Sequence, residues 1–270
     1  MNRYFTMFKK LKKNKEGCFI PFVALGDPSI QTCYTIIDIL VNSGANALEL
    51  GIPFSDPLAD GVIVQNANLR ALSNNITMKK CFDMLYHFRQ KYYKIPIGIL
   101  VYANMIYQYG IKNFYQDCKS IDIDSVLIPD IPIEEEKKFK NHYNDKNISS
   151  IFICPPNANN ILMEYIAKNS NSYIYLISRS GVTGHQNHAK IPDIKIINQL
   201  KEYNSVPIIH GFGISKSSHI IDSIRMGSSG VICGSVIIQL IEMFQYDKKN
   251  MFLKIKKLAT KLKNATIHIQ

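Results

Sequence analysis

The sequence predicts an α/β chain of the (β/α)₈-barrel class, with one extra N-terminal helix and a single domain over residues 1–270. Three observations predict it: eight short apolar runs rich in β-branched residues recur along the chain, a helical pattern lies between most of them, and no linker, low-complexity block or composition shift divides the 270 residues. Runs that are apolar throughout, rather than alternating with polar residues, suit parallel strands covered on both faces. Eight strand–helix units favour a closed barrel, which typically takes about 250 residues, although strand count alone does not distinguish it from a doubly wound open sheet.

In chain order, Phe5, Phe8 and Leu11 give the first segment a basic amphipathic helical pattern, suited to capping a barrel end. The first strand is 18–25. Asp27-Pro28-Ser29 then opens a helix, with Asp27 as N-cap, Pro28 at the first helical position and Ile30, Cys33, Ile37, Leu40 and Val41 as its apolar stripe before Gly44. Strands follow at 47–51, 95–102 and 125–129. After Pro132, Glu134, Glu135 and Glu136 fall in a predicted first turn with Lys137, Lys138 and Lys140 further on, which complements a helix dipole. Strands at 149–154, 173–178 and 206–210 precede a helix bracketed by Ser215 and Gly227, and the last strand is 230–233. Phe252, Ile255, Leu258 and Leu262 against lysines form a closing outer helix.

The composition, 46% hydrophobic and 20% charged, is that of a globular protein with a sizeable core. A net charge of +11 suits a nucleic-acid, acidic-membrane or phosphorylated small-molecule partner. No basic–aromatic nucleic-acid motif accompanies it, and the abundance of Lys, Asn and Ile points to compositional drift as its origin. The cysteines (Cys18, Cys33, Cys81, Cys118, Cys154, Cys233) are dispersed, without CxxC or metal spacing, and read as reduced buried thiols. With no signal-like segment and no uncharged run of about 18 residues to span a bilayer, a cytoplasmic location is expected.

Parallel strands present chemistry at their carboxyl ends. Glu49, inside the apolar strand Ala47-Leu48-Glu49-Leu50-Gly51, is the anomaly. Buried, a carboxylate is costly to ionise and its pKa rises, the condition for a general acid/base near neutral pH; paired with Lys or Arg, it would be structural instead. Asp60 follows in a stiff loop with Asp56, Pro53, Pro57 and Gly61, either as a second carboxylate of the same site or as an ordinary Asp-Gly turn. Glycine-bearing turns fall after the sixth, seventh and eighth strands: 180–184, Gly211-Phe212-Gly213 and Gly234-Ser235. The last two stand where barrels bind phosphate, and Ser235 begins a short helix whose N-terminus faces the same point. Neither GxGxxG nor GxxxxGK[ST] occurs. His87, His142 and His219 fall in helical patterns, His185 and His188 lack further ligands at metal spacing, and His210 stands unaccompanied at a strand end, so no metal site is expected.

The stretch Leu48-Glu49-Leu50-Gly51-Ile52-Pro53-Phe54-Ser55-Asp56-Pro57-Leu58-Ala59-Asp60-Gly61 closely resembles the signature of the tryptophan synthase α-subunit family, and matches at 22–27, Tyr102-Ala103-Asn104, 153–158, 178–184, 211–215 and Gly234-Ser235 extend the resemblance over essentially the whole chain. It implies a TIM-barrel lyase that splits indole-3-glycerol phosphate into indole and glyceraldehyde 3-phosphate. Glu49 would then protonate the indole ring at C3, and Asp60 would hold the indole N–H. Gly184, Gly213, Gly234 and Ser235 would grip the phosphate with Phe212 nearby. Phe22, Leu100, Tyr102, Leu127, Ile153 and Tyr175 would contact the substrate, and Thr183 would close onto Asp60 as loops 53–60 and 179–188 move. No cofactor is expected in this chain. The implied partner is a pyridoxal-phosphate-dependent β subunit in an α₂β₂ heterotetramer, docking on loops that carry Pro53, Asp56, Asn104 and Gln108. Pro129, Gln108 and Ser180 depart from the family pattern, where a small residue, Asn and Ala are usual.

Two alternatives compete. Another phosphate-binding barrel enzyme, an isomerase or aldolase, would want a catalytic His or Schiff-base Lys at a strand end, and no strand end carries such a Lys. A catalytically weak scaffold that mainly activates the β subunit has no need of a costly strand carboxylate.

Overall fold

The computed structural model describes residues 2–144, 147–178, 192–203 and 205–267. Its strands are β1 (Cys18–Ala24), β2 (Leu48–Gly51), β3 (Ile97–Leu100), β4 (Ser125–Leu127), β5 (Ser149–Ser150), β6 (Phe152–Cys154), β7 (Ile174–Ile177), β8 (Ile208–Gly211) and β9 (Gly230–Cys233). The helices are α1 (Arg3–Asn14), α2 (Ile30–Asn42), α3 (Val62–Ser73), α4 (Met78–Lys91), α5 (Ala103–Tyr109), α6 (Ile111–Ser120), α7 (Lys137–Asn144), α8 (Asn160–Asn169), α9 (Ile194–Glu202), α10 (Ser217–Arg225), α11 (Ser235–Met243) and α12 (Lys248–Asn264).

All strand pairs are parallel, in the order β5-β4-β3-β2-β1-β9-β8-β7-β6. The two edges, β5 and β6, are halves of the single run predicted at 149–154. The Ile151 amide still bonds the Val126 carbonyl at 3.0 Å, whereas Phe152 to Cys154 pair with β7. One segment therefore joins both edges and turns the sheet into the eight-stranded barrel that the sequence predicts.

Side chains alternate between two cores. Ile20, Phe22, Ala47, Leu127, Ile151, Tyr173, Ile209 and Ile232 fill the barrel, while Val23, Leu48, Leu50, Ile99, Val126 and Cys233 face the helices. The bottom is closed by α1. Tyr4, 1% exposed, enters the barrel, bonds Ser125 Oγ at 2.9 Å and packs on Tyr173 with ring centroids 5.4 Å apart. Gly98 makes room there, since a Cβ would stand 2.6 Å from Ser125 Oγ. Arg3 fixes the helix through Asp122 and Asp124; Asp124 also accepts from Arg89 at 2.6 Å and from the Ile97 amide at 2.7 Å. Leu11 is buried as expected, but Phe5, expected on the same apolar face, is 68% exposed, because Tyr4 takes the buried side beside it. The closing helix α12 packs on α2, and its Lys263 turns inward to Glu16 at 3.1 Å and Asn46 at 3.2 Å.

Three helix starts differ from the sequence reading. Ser29 caps α2, accepting from the Thr32 amide, because Asp27 is engaged by Arg70. Glu134 to Glu136 lie in turns that precede α7 rather than in its first turn. Ser215 lies ahead of α10, whose N-cap is Lys216, while Gly227 just past its end takes φ 105°, as expected. All six cysteines are buried free thiols. No helix among the described residues is long and apolar enough to cross a membrane.

Candidate active site

The inward alternation of β2 places Glu49 between Leu48 and Leu50, which face outward, in register with Phe22 of β1 and Gly98 of β3. It is 3% exposed, and no cation among the described residues is paired with it; its Oε1 accepts from Tyr173 Oη at 3.4 Å. Burial pushes its pKa up to about 8, with the neighbouring Asp60 raising it further and the Tyr173 hydrogen bond opposing. Among the described residues the structural ion pair left open by the sequence does not form.

Asp60 reaches the same cavity from the loop between β2 and α3. Its amide bonds the Pro57 carbonyl at 3.0 Å, so it is also the turn residue that Asp-Gly suggested. Burial raises its pKa to about 6, opposed by hydrogen bonds from Tyr102 and Asn68. Asn68 Nδ2 donates to Oδ2 at 3.4 Å, Gln65 Nε2 donates to the Asp60 carbonyl at 2.8 Å, and Tyr102 Oη accepts from the Ala59 amide at 3.2 Å. Phe54 packs on the Tyr102 ring at 5.2 Å.

The cavity is lined by Phe22, Glu49, Asp60, Val64, Leu100, Tyr175, Phe212, Gly213, Ile214, Ile232, Gly234 and Ser235. Its lining brings the two carboxyls together with Gly213 and the start of α11, where Gly234 is the N-cap without a side-chain bond and Ser235 is the first helical residue. Helix N-termini leave amide donors to an anion. Phe212 and Gly213 both have positive φ, 88° and 75°. For a phenylalanine that conformation is strained, as functional sites often are.

Glycines at neighbouring strand ends admit the lining rings. A Cβ at Gly51 would stand 2.7 Å from Phe22 Cζ, one at Gly234 2.9 Å from Phe22 Cδ1, and one at Gly211 2.1 Å from Tyr175 Cζ. Gly211→Val is therefore expected to displace Tyr175 into the cavity. An overpacking cost of about 1–3 kcal/mol should appear as a lowered Tm, and steady-state kinetics should show KM raised roughly tenfold or more.

Of the other predicted residues, Leu127 and Ile153 do not line the cavity but belong to the barrel-interior packing around Phe22, Leu100 and Tyr175. Thr183, Gly184, Ser180, His185, His188 and the loop 179–188 lie outside the described residues. Asp56 is exposed, and Pro53 is buried within this chain. Asn104 and Gln108, expected on a loop, are exposed one turn apart on α5, so they share a helix face. Pro129 lines a separate groove of about 640 Å³ between the connections after β4 and β6, away from the paired carboxyls.

His210 points into the helix layer. Its Nδ1 is 2.7 Å from Ser223 Oγ, which donates to the His219 carbonyl at 2.6 Å, so Nδ1 carries the proton; burial pushes the ring's pKa down to about 4. It is a neutral core histidine. No cluster of three metal-ligating side chains occurs among the described residues.

Sequence reasoning missed Tyr173, Asn68, Val64, Ile214 and Ile232. Tyr173 had a signal, since it stands two residues before Tyr175 and so shares its face of the strand. Asn68 had none, because its reach to Asp60 depends on how α3 docks.

Residues 8–267 match the family model described as tryptophan synthase alpha chain. The chain is 55% identical over 266 residues to the tryptophan synthase alpha chain of Buchnera aphidicola subsp. Baizongia pistaciae, covering 98% of this chain and 99% of that protein. It is 47% identical to that of Escherichia coli O17:K52:H18 over the same shares. Among solved structures it is similar to tryptophan synthase subunit alpha from Legionella pneumophila, with TM-score 0.89 and 30% identity over 98% of each chain. It is also similar to a chain of the tryptophan synthase complex from Pyrococcus furiosus, with TM-score 0.80 and 29% identity over 92% of this chain and 98% of that one.

Proposed function

The chain belongs to the tryptophan synthase α-chain family, and on that premise we propose how its barrel performs the lyase reaction of an α subunit in tryptophan biosynthesis: Glu49 and Asp60 cleave indole-3-glycerol phosphate to indole and glyceraldehyde 3-phosphate. The observation that carries this reading is the meeting of two buried carboxyls of unequal acidity in one cavity that a helix N-terminus also lines.

With its pKa near 8, Glu49 is protonated at neutral pH and can give its proton to indole C3. Asp60, about two units more acidic, is ionised there. It accepts the indole N–H, whose acidity rises as the ring becomes cationic, and its charge stabilises that cation. The Glu49 carboxylate left behind then takes the proton of the hydroxyl on the carbon attached to C3. As that O–H breaks, the C=O of the aldehyde forms, the C3–carbon bond breaks and its electron pair returns to the ring. The proton is restored to Glu49, so the step balances. Phe22, Leu100 and Tyr175 exclude water and hold the aromatic ring, while Gly213, Gly234 and Ser235 take the phosphate.

The same reading assigns a β-subunit partner in an α₂β₂ assembly, pyridoxal phosphate in that partner, docking through Pro53, Asp56, Asn104 and Gln108, closure of Thr183 onto Asp60, and a cytoplasmic setting. The convergence of Glu49 and Asp60 on one cavity weighs against a scaffold without chemistry of its own.

The test is indole release from indole-3-glycerol phosphate by the purified chain, with and without a tryptophan synthase β subunit. The expected result is slow cleavage by the chain alone and faster cleavage in the complex. Activation of the β subunit without cleavage in either mixture would favour the scaffold.

A further inference from the structure

Among the described residues the helix α3 contributes Val64 to the cavity wall, and it also contacts Asp60 and the helix α11 whose first residue lines the cavity. Toward the carboxyls, Gln65 and Asn68 hold the Asp60 carbonyl and carboxylate. Away from them, Arg70 forms a two-pronged pair with Asp27, Nε to Oδ1 at 2.8 Å and Nη2 to Oδ2 at 2.9 Å, and its Nη1 reaches Glu242 Oε1 at 3.2 Å. Asn66 Nδ2 donates to the same Oε1 at 3.0 Å. Asp27 is fully buried just past β1, and Glu242 stands in the last turn of α11, the helix whose first residue is Ser235. Arg70 thus ties the helix that holds Asp60 to the loop after β1 through two guanidinium nitrogens, and through the third to α11, whose first residue lines the cavity. A lysine ammonium, a point charge without the planar fork, cannot reproduce that geometry.

We propose that Arg70 is a positioning residue: its junction with Asp27 and Glu242 sets the spacing between Asp60 and the N-terminus of α11, and so matches the site to a ligand with an aromatic N–H at one end and a phosphate at the other. The inference rests on the reading of the site given above. Arg70 itself does not line the cavity.

Three variants of the α–β complex test it: Arg70→Lys, Glu242→Gln, and the double variant Asp27→Asn/Arg70→Met, which removes both charges so that no buried carboxylate is left unpaired. For Arg70→Lys and the double variant, kcat is expected to fall roughly ten- to a hundredfold, the range that a displacement of about 1 Å produces. The acid limb of kcat/KM should move to higher pH as Asp60 loses the Asn68 hydrogen bond and keeps Glu49, Tyr102 and Tyr175 as its titratable neighbours. Glu242→Gln leaves the Arg70–Asp27 pair intact; it should raise KM several-fold and hold kcat within about twofold. Calorimetric titration with glycerol 3-phosphate should show weakened binding in all three variants. That readout does not depend on catalysis, so a parent chain that binds glycerol 3-phosphate without cleaving substrate would refute the proposed reaction and leave the role of Arg70 measurable. Parental kcat, acid limb and glycerol 3-phosphate affinity in folded Arg70→Lys and double variants would overturn the proposal, as would losses that follow a lowered Tm while the acid limb stays in place.

Discussion

Glu49→Gln is expected to remove indole formation by on the order of 10²–10⁴-fold while the protein stays folded, because the amide fills the same volume, can accept from Tyr173 and has no proton to transfer. Circular dichroism and indole release, measured on the same preparation, check both halves. The substitution should also stabilise the protein at neutral pH. Glu49 goes from an ordinary value of 4.5 to about 8 on folding, so the folded state favours its protonated form. The folded state therefore bears no penalty below about pH 4.5, and one that grows as pH rises toward 8, about 3 kcal/mol near pH 7. Removing the carboxyl should raise Tm by an amount that increases between pH 5 and pH 8. Equal pH dependence in parent and variant would contradict the burial argument.

Asp60→Asn is the second large effect. Without a negative charge beside the indole nitrogen the cationic intermediate loses its stabiliser, and the loss of one such electrostatic group costs roughly 10²–10³-fold in kcat. The amide can keep the contacts with Asn68 and Tyr102, so KM should change far less than kcat. The residual activity should also lose its acid limb near pH 6, because the group that titrates there is gone. An unaltered acid limb would assign it to another residue.

Much of this was legible in the sequence because it depends on local pattern. Continuous apolar runs predict strands buried on both faces, and a carboxylate inside one of them, Glu49, is visible without coordinates. What failed was set by long-range contacts. Asp27 has every local mark of an N-cap, yet Arg70, 43 positions away, takes its carboxylate and leaves Ser29 to cap α2. The run at 149–154 gave no sign of splitting, since its halves are distinguished only by their partners, β4 and β7. Asn104 and Gln108 looked like loop residues after a strand because the short helix α5 begins without a side-chain cap at Tyr102. Within the site, the strand-borne residues Phe22, Leu100 and Tyr175 fall where alternation puts them. Asn68 and Arg70 follow from the docking of α3, which no local pattern encodes.

In the proposed reaction two carboxyls held apart in acidity act as proton donor and charge stabiliser, and the pH dependence of kcat/KM for indole-3-glycerol phosphate tests these roles most directly. The predicted result is a bell with an acid limb near pH 6, where Asp60 must ionise, and an alkaline limb near pH 8, where Glu49 must remain protonated. A profile that is flat from pH 5 to pH 9, or that falls with a single limb near 4.5, would contradict it.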